Sequence, residues 1–249
     1  MTSDTESAPK VAVFRPDDER IEDAVELLEE HDVEPVPDPM LAVEPTGTEP
    51  RSDGAVTVLT SKTGVELAAE AGWESKDTQF VAIGPATADA AEAAGFDVDL
   101  VPEVYTSAGL VNALEDSVDG ERVEVARSDH GSPTLIQGLT DAGAYVHETV
   151  LYELVIPDGA GESVALAADG ALDGALFTSS LTVKHFLSIA ADRDVEAAVR
   201  DGLESAVVGA IGSPTAETAA AAGVTVSIVP ESADFAALAR AVVGELESH

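Results

Sequence analysis

The 249-residue chain carries 48 acidic residues against 12 basic ones, a formal net charge of -36, and no cysteine. Those numbers exclude thiol catalysis, disulfides and Cys-ligated metals, and they leave no basic patch for nucleic acid. A chain that is 45% hydrophobic cannot be a disordered acidic tail, so the acid coats a folded body long enough for one large domain or two ordinary ones.

Only Lys10, Lys62, Lys76 and Lys184 among the cations are lysines, and the carboxylates are spread along the whole length. This fits a protein working in molar salt, where the Debye length shrinks to ~3 Å and self-repulsion is screened. A salt-accumulating host is expected. The opening "MTSDTESAPK" is polar and acidic, so residues 1–10 read as a disordered tail rather than a signal peptide. No apolar run approaches the ~18 residues of a membrane span. The expectation is a cytoplasmic monomer with no membrane segment and no nucleic-acid partner.

Short aliphatic runs alternate with amphipathic stretches rich in Ala and acids, the pattern of parallel α/β units. "VAVFRP" (11–16) predicts a strand, and Ile21, Ala24, Val25 and Leu28 line one face of the helix after it, with Asp17, Asp18 and Glu19 near its start. "VEPVPDPMLAVEP" (33–45) is extended and punctuated by Pro. "AVTVLTS" (55–61) predicts a strand with a helix from about Thr63, and "QFVAIG" (79–84) another strand and helix. "VDLVP" (98–102) and "RVEVAR" (122–127) read as further strands, and "HETVLYELVIPD" (147–158) as a second extended stretch. The order then restarts: "GALFTS" (174–179), "AVVGAIG" (206–212) and "VTVSIVP" (224–230) each predict a strand followed by a helix.

Within this order one phrase occurs twice, "IGPATADAAEAAG" (83–95) and "IGSPTAETAAAAG" (211–223). Each copy has a strand ending Thr-Ser, a strand ending Ile-Gly with a Thr three residues on, and a strand ending Val-Pro. Two blocks with the same order imply two similar α/β domains rather than a solenoid, which would repeat every 20–50 residues. Gly84 with Thr87, and Gly212 with Thr215, predict tight turns at the carboxyl edge of a sheet leading into helix N-termini. Such termini carry unpaired N–H groups and bind carboxylate or phosphate. Thr60-Ser61 and Thr178-Ser179 fall at the same edge, as do Arg15 and Arg127 at strand ends. Two domains would thus present anion-collecting rims across a cleft. Ser and Thr at such positions are also ordinary helix caps, and an Arg in so acidic a chain ordinarily meets a carboxylate. Tyr152, in the second extended stretch, reads equally as strand packing. His31, His130, His147, His185 and His249 have no metal-ligand spacing. Neither GxGxxG, GxxxxGK[ST] nor GxSxG occurs.

Together "VAVFRP", "LTSKTGV", "AIGPATADAAEAAG", "VARSDHG", "LTDAGAYVHETVLYEL", "LFTSSLTVKHF" and "AIGSPTAETAAAAGV" make the chain resemble the uroporphyrinogen-III synthase family from about Val11 to the C-terminus. The resemblance implies two flavodoxin-like parallel-sheet domains, one inserted in the other and joined by a two-stranded β ladder. Residues 11–35 plus 157–249 would form the outer domain, 36–45 and 147–156 the linker strands, and 46–146 the inserted domain. It implies a lyase without metal or cofactor that closes linear hydroxymethylbilane to uroporphyrinogen III, losing water and inverting ring D, in the tetrapyrrole route to haem, sirohaem and cobalamin. Loss of the hydroxyl would give an azafulvene that meets the substituted carbon of ring D through a spirocyclic intermediate, so the enzyme's work is proximity and orientation. The family's cleft threonines match Thr87 and Thr215, and its linker tyrosine matches Tyr152, a candidate proton donor to the departing hydroxyl. Substrate-binding candidates are Arg15, Thr60, Ser61, Lys62, Gly84, Thr87, Arg127, Thr178, Ser179, Gly212 and Thr215, with Lys184 as a further cation. Ser213-Pro214 departs from the family pattern by shifting the proline one place. The rival expectation is a two-domain binding protein that closes on a small anion without chemistry.

Overall fold

Alternating aliphatic side chains on short strands, buried on both faces, require helices above and below each sheet. The computed structural model describes residues 8–16 and 19–248. Residues 1–7 of the expected tail lie outside the described residues, as do Asp17 and Asp18, while Lys10 already belongs to a strand. In chain order the elements begin β1 (Lys10–Val13), α1 (Glu19–Glu29), β2 (Glu34–Pro37), β3 (Ala42–Pro45), β4 (Val56–Leu59), α2 (Lys62–Glu70) and β5 (Gln79–Ala82). They continue with α3 (Pro85–Ala93), α4 (Ser107–Leu114), β6 (Arg122–Ser128), α5 (Pro133–Asp141) and β7 (Tyr145–Val155). Then follow α6 (Glu162–Ala168), β8 (Gly174–Phe177), α7 (Ser180–Asp192), α8 (Glu196–Glu204), β9 (Val207–Ala210), α9 (Ser213–Ala221) and α10 (Phe235–Leu246).

The chain divides into two compact units, Met1–Ala42 with Val155–His249, and Val43–Leu154. The first holds a parallel four-stranded sheet in the order β2-β1-β8-β9. Strand periodicity sorts its side chains: Ala12, Phe14, Ala175 and Phe177 face α6, α7, α8 and α9, and Val11, Val13 and Leu176 face α1 and α10. Phe14 and Phe177 stack at 4.6 Å, and Phe186 meets both edge-on. The second unit holds the order β3-β7-β6-β4-β5. Leu59, Phe80, Ala82 and Ala126 face α2 and α3, while Val56, Val58, Val81, Val123 and Val125 face α4 and α5.

Lined up by sheet position, β2-β1-β8-β9 corresponds to β7-β6-β4-β5, yet the chain reaches the positions in different order. The units are circular permutations of one strand plan. Each reverses direction at one place, between β1 and β8 in the first and between β6 and β4 in the second. Ligands of open α/β sheets bind at the carboxyl ends of such a switch.

Two expectations need correction. "VDLVP" and "VTVSIVP" are not strands; each touches its sheet through one bridge, Leu100 to Val81 and Ile228 to Gly209. In the first the Asp99 carboxylate takes the Phe80 N–H at 2.7 Å, in place of a ladder bond, and the following proline has no N–H to extend the pairing. The stretch 33–45 also splits. Its first half, through Pro37, is β2, parallel to β1 at the edge of the first sheet, where Pro is tolerated; only β3 runs beside β7.

The first unit is left at Ala42 and resumed at Val155, so its two chain segments need a tie. Asp38, 3% exposed, supplies it. Its carboxylate accepts from the Gly161 and Ser163 N–H groups, each at 2.8 Å, and from the Ser163 hydroxyl. Gly161 opens α6 with φ 105° and no side-chain cap, so Asp38 caps that helix from a distance. Asp38→Ala should lower the unfolding free energy by about 3 kcal/mol in denaturant titrations at fixed salt, and Asp38→Asn by about half that. A loss below about 1 kcal/mol for the alanine would contradict the tie.

Candidate functional site

Most well-capped helices here satisfy their first amides with a side chain: Ser61 for α2, Thr106 for α4, Ser132 for α5, Ser179 for α7 and Asp234 for α10. The two helices of the doubled phrase do not. α3 and α9 start from Gly84 and Gly212, extended residues with no cap to offer. Gly84 O accepts from Thr87 and Ala88 N–H, and Gly212 O from Thr215 and Ala216 N–H. Pro85 has no N–H, so Ala86 N–H is left unpaired in α3. In α9 the proline is Pro214, and the unpaired group is Ser213 N–H. The shifted proline therefore moves the open amide by one residue.

Thr87 and Thr215 sit in the third position of these helices, 5% and 4% exposed. Neither hydroxyl makes a hydrogen bond, yet neither is sealed from solvent: Trp73 Nε1 is the one buried polar side-chain atom left without a partner among the described residues. Each helix start thus offers a positive dipole end, an open amide and a threonine hydroxyl held in place by packing.

The Thr-Ser pairs have a different local role. Ser61 Oγ accepts from Gly64 N–H at 3.0 Å, and Ser179 forms a capping box with Thr182. Thr178 donates to Phe14 O at 2.7 Å across the switch of the first unit. Thr60 stands at the matching place, one residue after β4. Tyr152, 7% exposed, packs in the core under α2 and α3 with its hydroxyl 2.9 Å from Ser61 Oγ. Lys62 opens α2, pairs with Glu66 at 3.4 Å and is exposed; Lys184 is exposed on α7.

The register that pairs Val13 with Leu176 sets Phe14 opposite Phe177 as Ala126 is set opposite Leu59, and this puts Arg15 and Arg127 at equivalent positions one residue beyond Phe14 and Ala126. Their fates diverge. Arg127 is 5% exposed, donates to Glu148 at 2.7 Å and to the Ser132 carbonyl, and lies against Gly131. It organises the loop after β6, held by a carboxylate on the adjacent strand. Arg15 lies over the Phe235 ring at 4.6 Å. It lines a cavity of about 430 Å³ with Arg20, Thr178, Ser179, Thr182 and Phe235, at the switch of the first unit. Arg20 was not singled out by the sequence reading; its signal was being one of 12 cations, a few residues after the first strand. A larger cavity, about 670 Å³, is walled by Glu22, Glu26, Asp38, Asp158 and Glu162 and is ill suited to an anion.

The family model described as Uroporphyrinogen-III synthase HemD matches residues 22–240. The chain belongs to the uroporphyrinogen-III synthase family. It is similar to a candidate uroporphyrinogen-III synthase of Methanothermobacter thermautotrophicus, 34% identical over 237 residues, covering 89% of this chain and 92% of that protein. It is also similar to the uroporphyrinogen-III synthase of Chlorobaculum parvum, 23% identical over 175 residues, 69% of this chain and 68% of that one. Among solved structures, a mutant uroporphyrinogen III synthase of Thermus thermophilus superposes with a TM-score of 0.67 at 20% identity, over 97% of this chain and all of that one (100%). The uroporphyrinogen-III synthetase of Helicobacter pylori gives 0.63 at 15% identity, over 96% and 99%. At those identities the superpositions establish the two-unit α/β fold.

Near the switch of the second unit, Asp129 accepts from His130 Nδ1 at 2.9 Å and from Leu154 N–H at 3.0 Å. Burial opposes the charge on its carboxyl, but the hydrogen bonds and the charge of a protonated His130 outweigh that and hold it below the ordinary carboxylate range. A carboxyl depressed in the folded state adds stability above its unfolded pKa and loses it as pH falls through the lowered folded value. Asp129→Asn should therefore lose that contribution at neutral pH and flatten the acid limb, so that denaturant titrations of variant and wild type differ at about pH 7 and converge as pH falls below the carboxylate range.

Because their hydroxyls hold no partner, Thr87→Val and Thr215→Val should each leave stability within about 0.5 kcal/mol of wild type. Tyr152→Phe, losing the Ser61 contact, should cost about 1 kcal/mol. Thermal unfolding at one salt concentration checks all three, and a valine that destabilised more than the phenylalanine would show that the threonines are structural.

Proposed function

We propose that the chain cyclises hydroxymethylbilane to uroporphyrinogen III. Membership of the family over most of its length supports this reading. The observation that carries it is the pair of uncapped helix starts, each with an open amide and an unpartnered threonine hydroxyl. The substrate is a flexible chain of four pyrroles bearing eight carboxylates, and main-chain amides at helix starts are apt receivers for such groups. Ala86 N–H with Thr87, and Ser213 N–H with Thr215, take substrate carboxylates; Arg15 and Arg20 line a third place for one.

The chemistry asks little else of the protein. The hydroxyl leaves with a proton as water, and the methylene left behind is met by the substituted carbon of ring D. The resulting spirocycle breaks its original bond and recloses with that ring inverted. Left free in water, the same chain closes without inversion, so holding the ends in the productive approach is the enzyme's contribution. Tyr152 is our candidate for the proton donor. Ser61 Oγ already accepts from Gly64 N–H and has its own proton to give to Tyr152 Oη, which leaves the phenolic proton available to the departing hydroxyl. The net charge of -36 we read as adaptation to molar salt, which screens repulsion of a polyanion.

The test is to incubate the protein with hydroxymethylbilane in concentrated salt, oxidise, and resolve the type I and III isomers. Type III is expected, falling in dilute buffer, with Thr87→Val and Thr215→Val raising KM several-fold and Tyr152→Phe lowering kcat by about 10²-fold. Type I alone would leave a binding protein without chemistry.

A further inference from the structure

The chain has few aromatic rings, and most are buried in its cores. Tyr105 is the exception at the carboxyl edge of the second unit. It is 59% exposed, beside Val104 at 60%, in the loop that follows the Leu100 bridge. Tyr145, the other widely exposed aromatic among the described residues, lies at the start of β7, the opposite edge of that sheet.

The position of Tyr105 is fixed rather than loose. The base of its ring rests on Gly84: a Cβ there would stand 3.3 Å from Tyr105 Cβ and 3.4 Å from Cγ. Val104 O accepts from Thr106 N–H at 2.8 Å, and Thr106 caps α4 through Gly109 N–H at 3.1 Å. Gly109 is packed so closely on the Val104 carbonyl that a Cβ would fall 1.9 Å from its oxygen. The loop is clamped at both ends of the tyrosine, and the base of the ring sits against Gly84, the residue that starts α3 and whose carbonyl accepts from Thr87 N–H.

The repeat breaks here. "VPEVYTS" (101–107) and "VPESADF" (229–235) align on Val-Pro-Glu, which sets Tyr105 against Ala233. In the first unit the nearby aromatic, Phe235, is covered by the Arg15 guanidinium. One unit alone therefore offers an open aromatic face beside its helix start.

We propose that Tyr105 is a substrate-binding residue that stacks on one pyrrole of the linear tetrapyrrole while that ring's carboxylate is received by Ala86 N–H and Thr87. Resting on the synthase reading above, it also makes the two similar rims unequal, so a substrate with different ends is seated in one direction. Ring-on-aromatic stacking of this kind commonly changes affinity by one to two orders of magnitude.

Three variants separate this from a merely structural cover over Gly84. Tyr105→Phe keeps the flat face and should match wild type. Tyr105→Leu covers Gly84 without a flat face, and Tyr105→Ala removes both. Each should raise KM about tenfold, with kcat changed less than about threefold and a larger share of type I product as misseated substrate escapes. The leucine variant should keep the melting temperature of wild type. Full recovery of KM by leucine, a phenylalanine variant as impaired as alanine, or an alanine variant with wild-type KM and isomer ratio would each overturn the stacking role. If wild type itself yields only type I, the synthase reading falls and this one with it; type III from wild type with unchanged variants removes only Tyr105.

Discussion

Parallel pairing brings the carboxyl end of every strand, and so the start of the helix after it, to one edge of each sheet. Everything proposed for this protein depends on that constraint. A helix start has amides that no backbone partner can reach, and the sequence decides whether a side chain fills them. At α2 and α7 serine does. At α3 and α9 glycine does not, and a proline removes one of the remaining donors, so a single open amide is left beside a buried threonine whose hydroxyl has no partner. The binding features are thus what the fold leaves unsatisfied, repeated once per unit.

The two copies are not equivalent, and the differences follow from neighbours. Arg15 and Arg127 occupy matching positions, but β7 brings Glu148 next to Arg127 and nothing comparable lies on β2, where the corresponding strand is Glu-Pro-Val-Pro. A guanidinium beside a carboxylate at 2.7 Å and shielded from water is fixed as a brace for its loop; the other is laid over an aromatic ring and lines a cavity. The proline shift between "GPAT" and "GSPT" moves the open amide by one residue. A pseudo-repeated scaffold acquires direction through such small departures.

Much of this was legible in the sequence, because it follows from local rules. Short aliphatic runs such as "VAVF" and "GALF" forecast the strands of parallel α/β units, and the doubled phrase forecast the helix starts with their glycines. What failed were features set by competition between partners. "VDLVP" has the composition of a strand, but the carboxylate of its own Asp99 takes the Phe80 N–H, and composition carries no sign of that. "EPVP" reads as a linker because prolines punctuate it, whereas an edge strand needs donors on one side only. Arg127 stands near the end of its strand as read, but the carboxylate that holds it lies 21 residues away on another strand, beyond the reach of a local pattern. Asp38, which ties residues 123 apart in sequence, gave no local signal at all.

The central claim is that substrate carboxylates are held by main-chain amides at the starts of α3 and α9. The most direct measurement is the amide 15N–1H spectrum of the protein in concentrated salt, titrated with uroporphyrinogen III under reducing conditions. The account predicts saturable shifts at Ala86 and Ser213 and at their threonine neighbours, larger than those at the serine-capped starts of α2 and α7. Binding that leaves Ala86 and Ser213 unmoved while shifting amides elsewhere would contradict it.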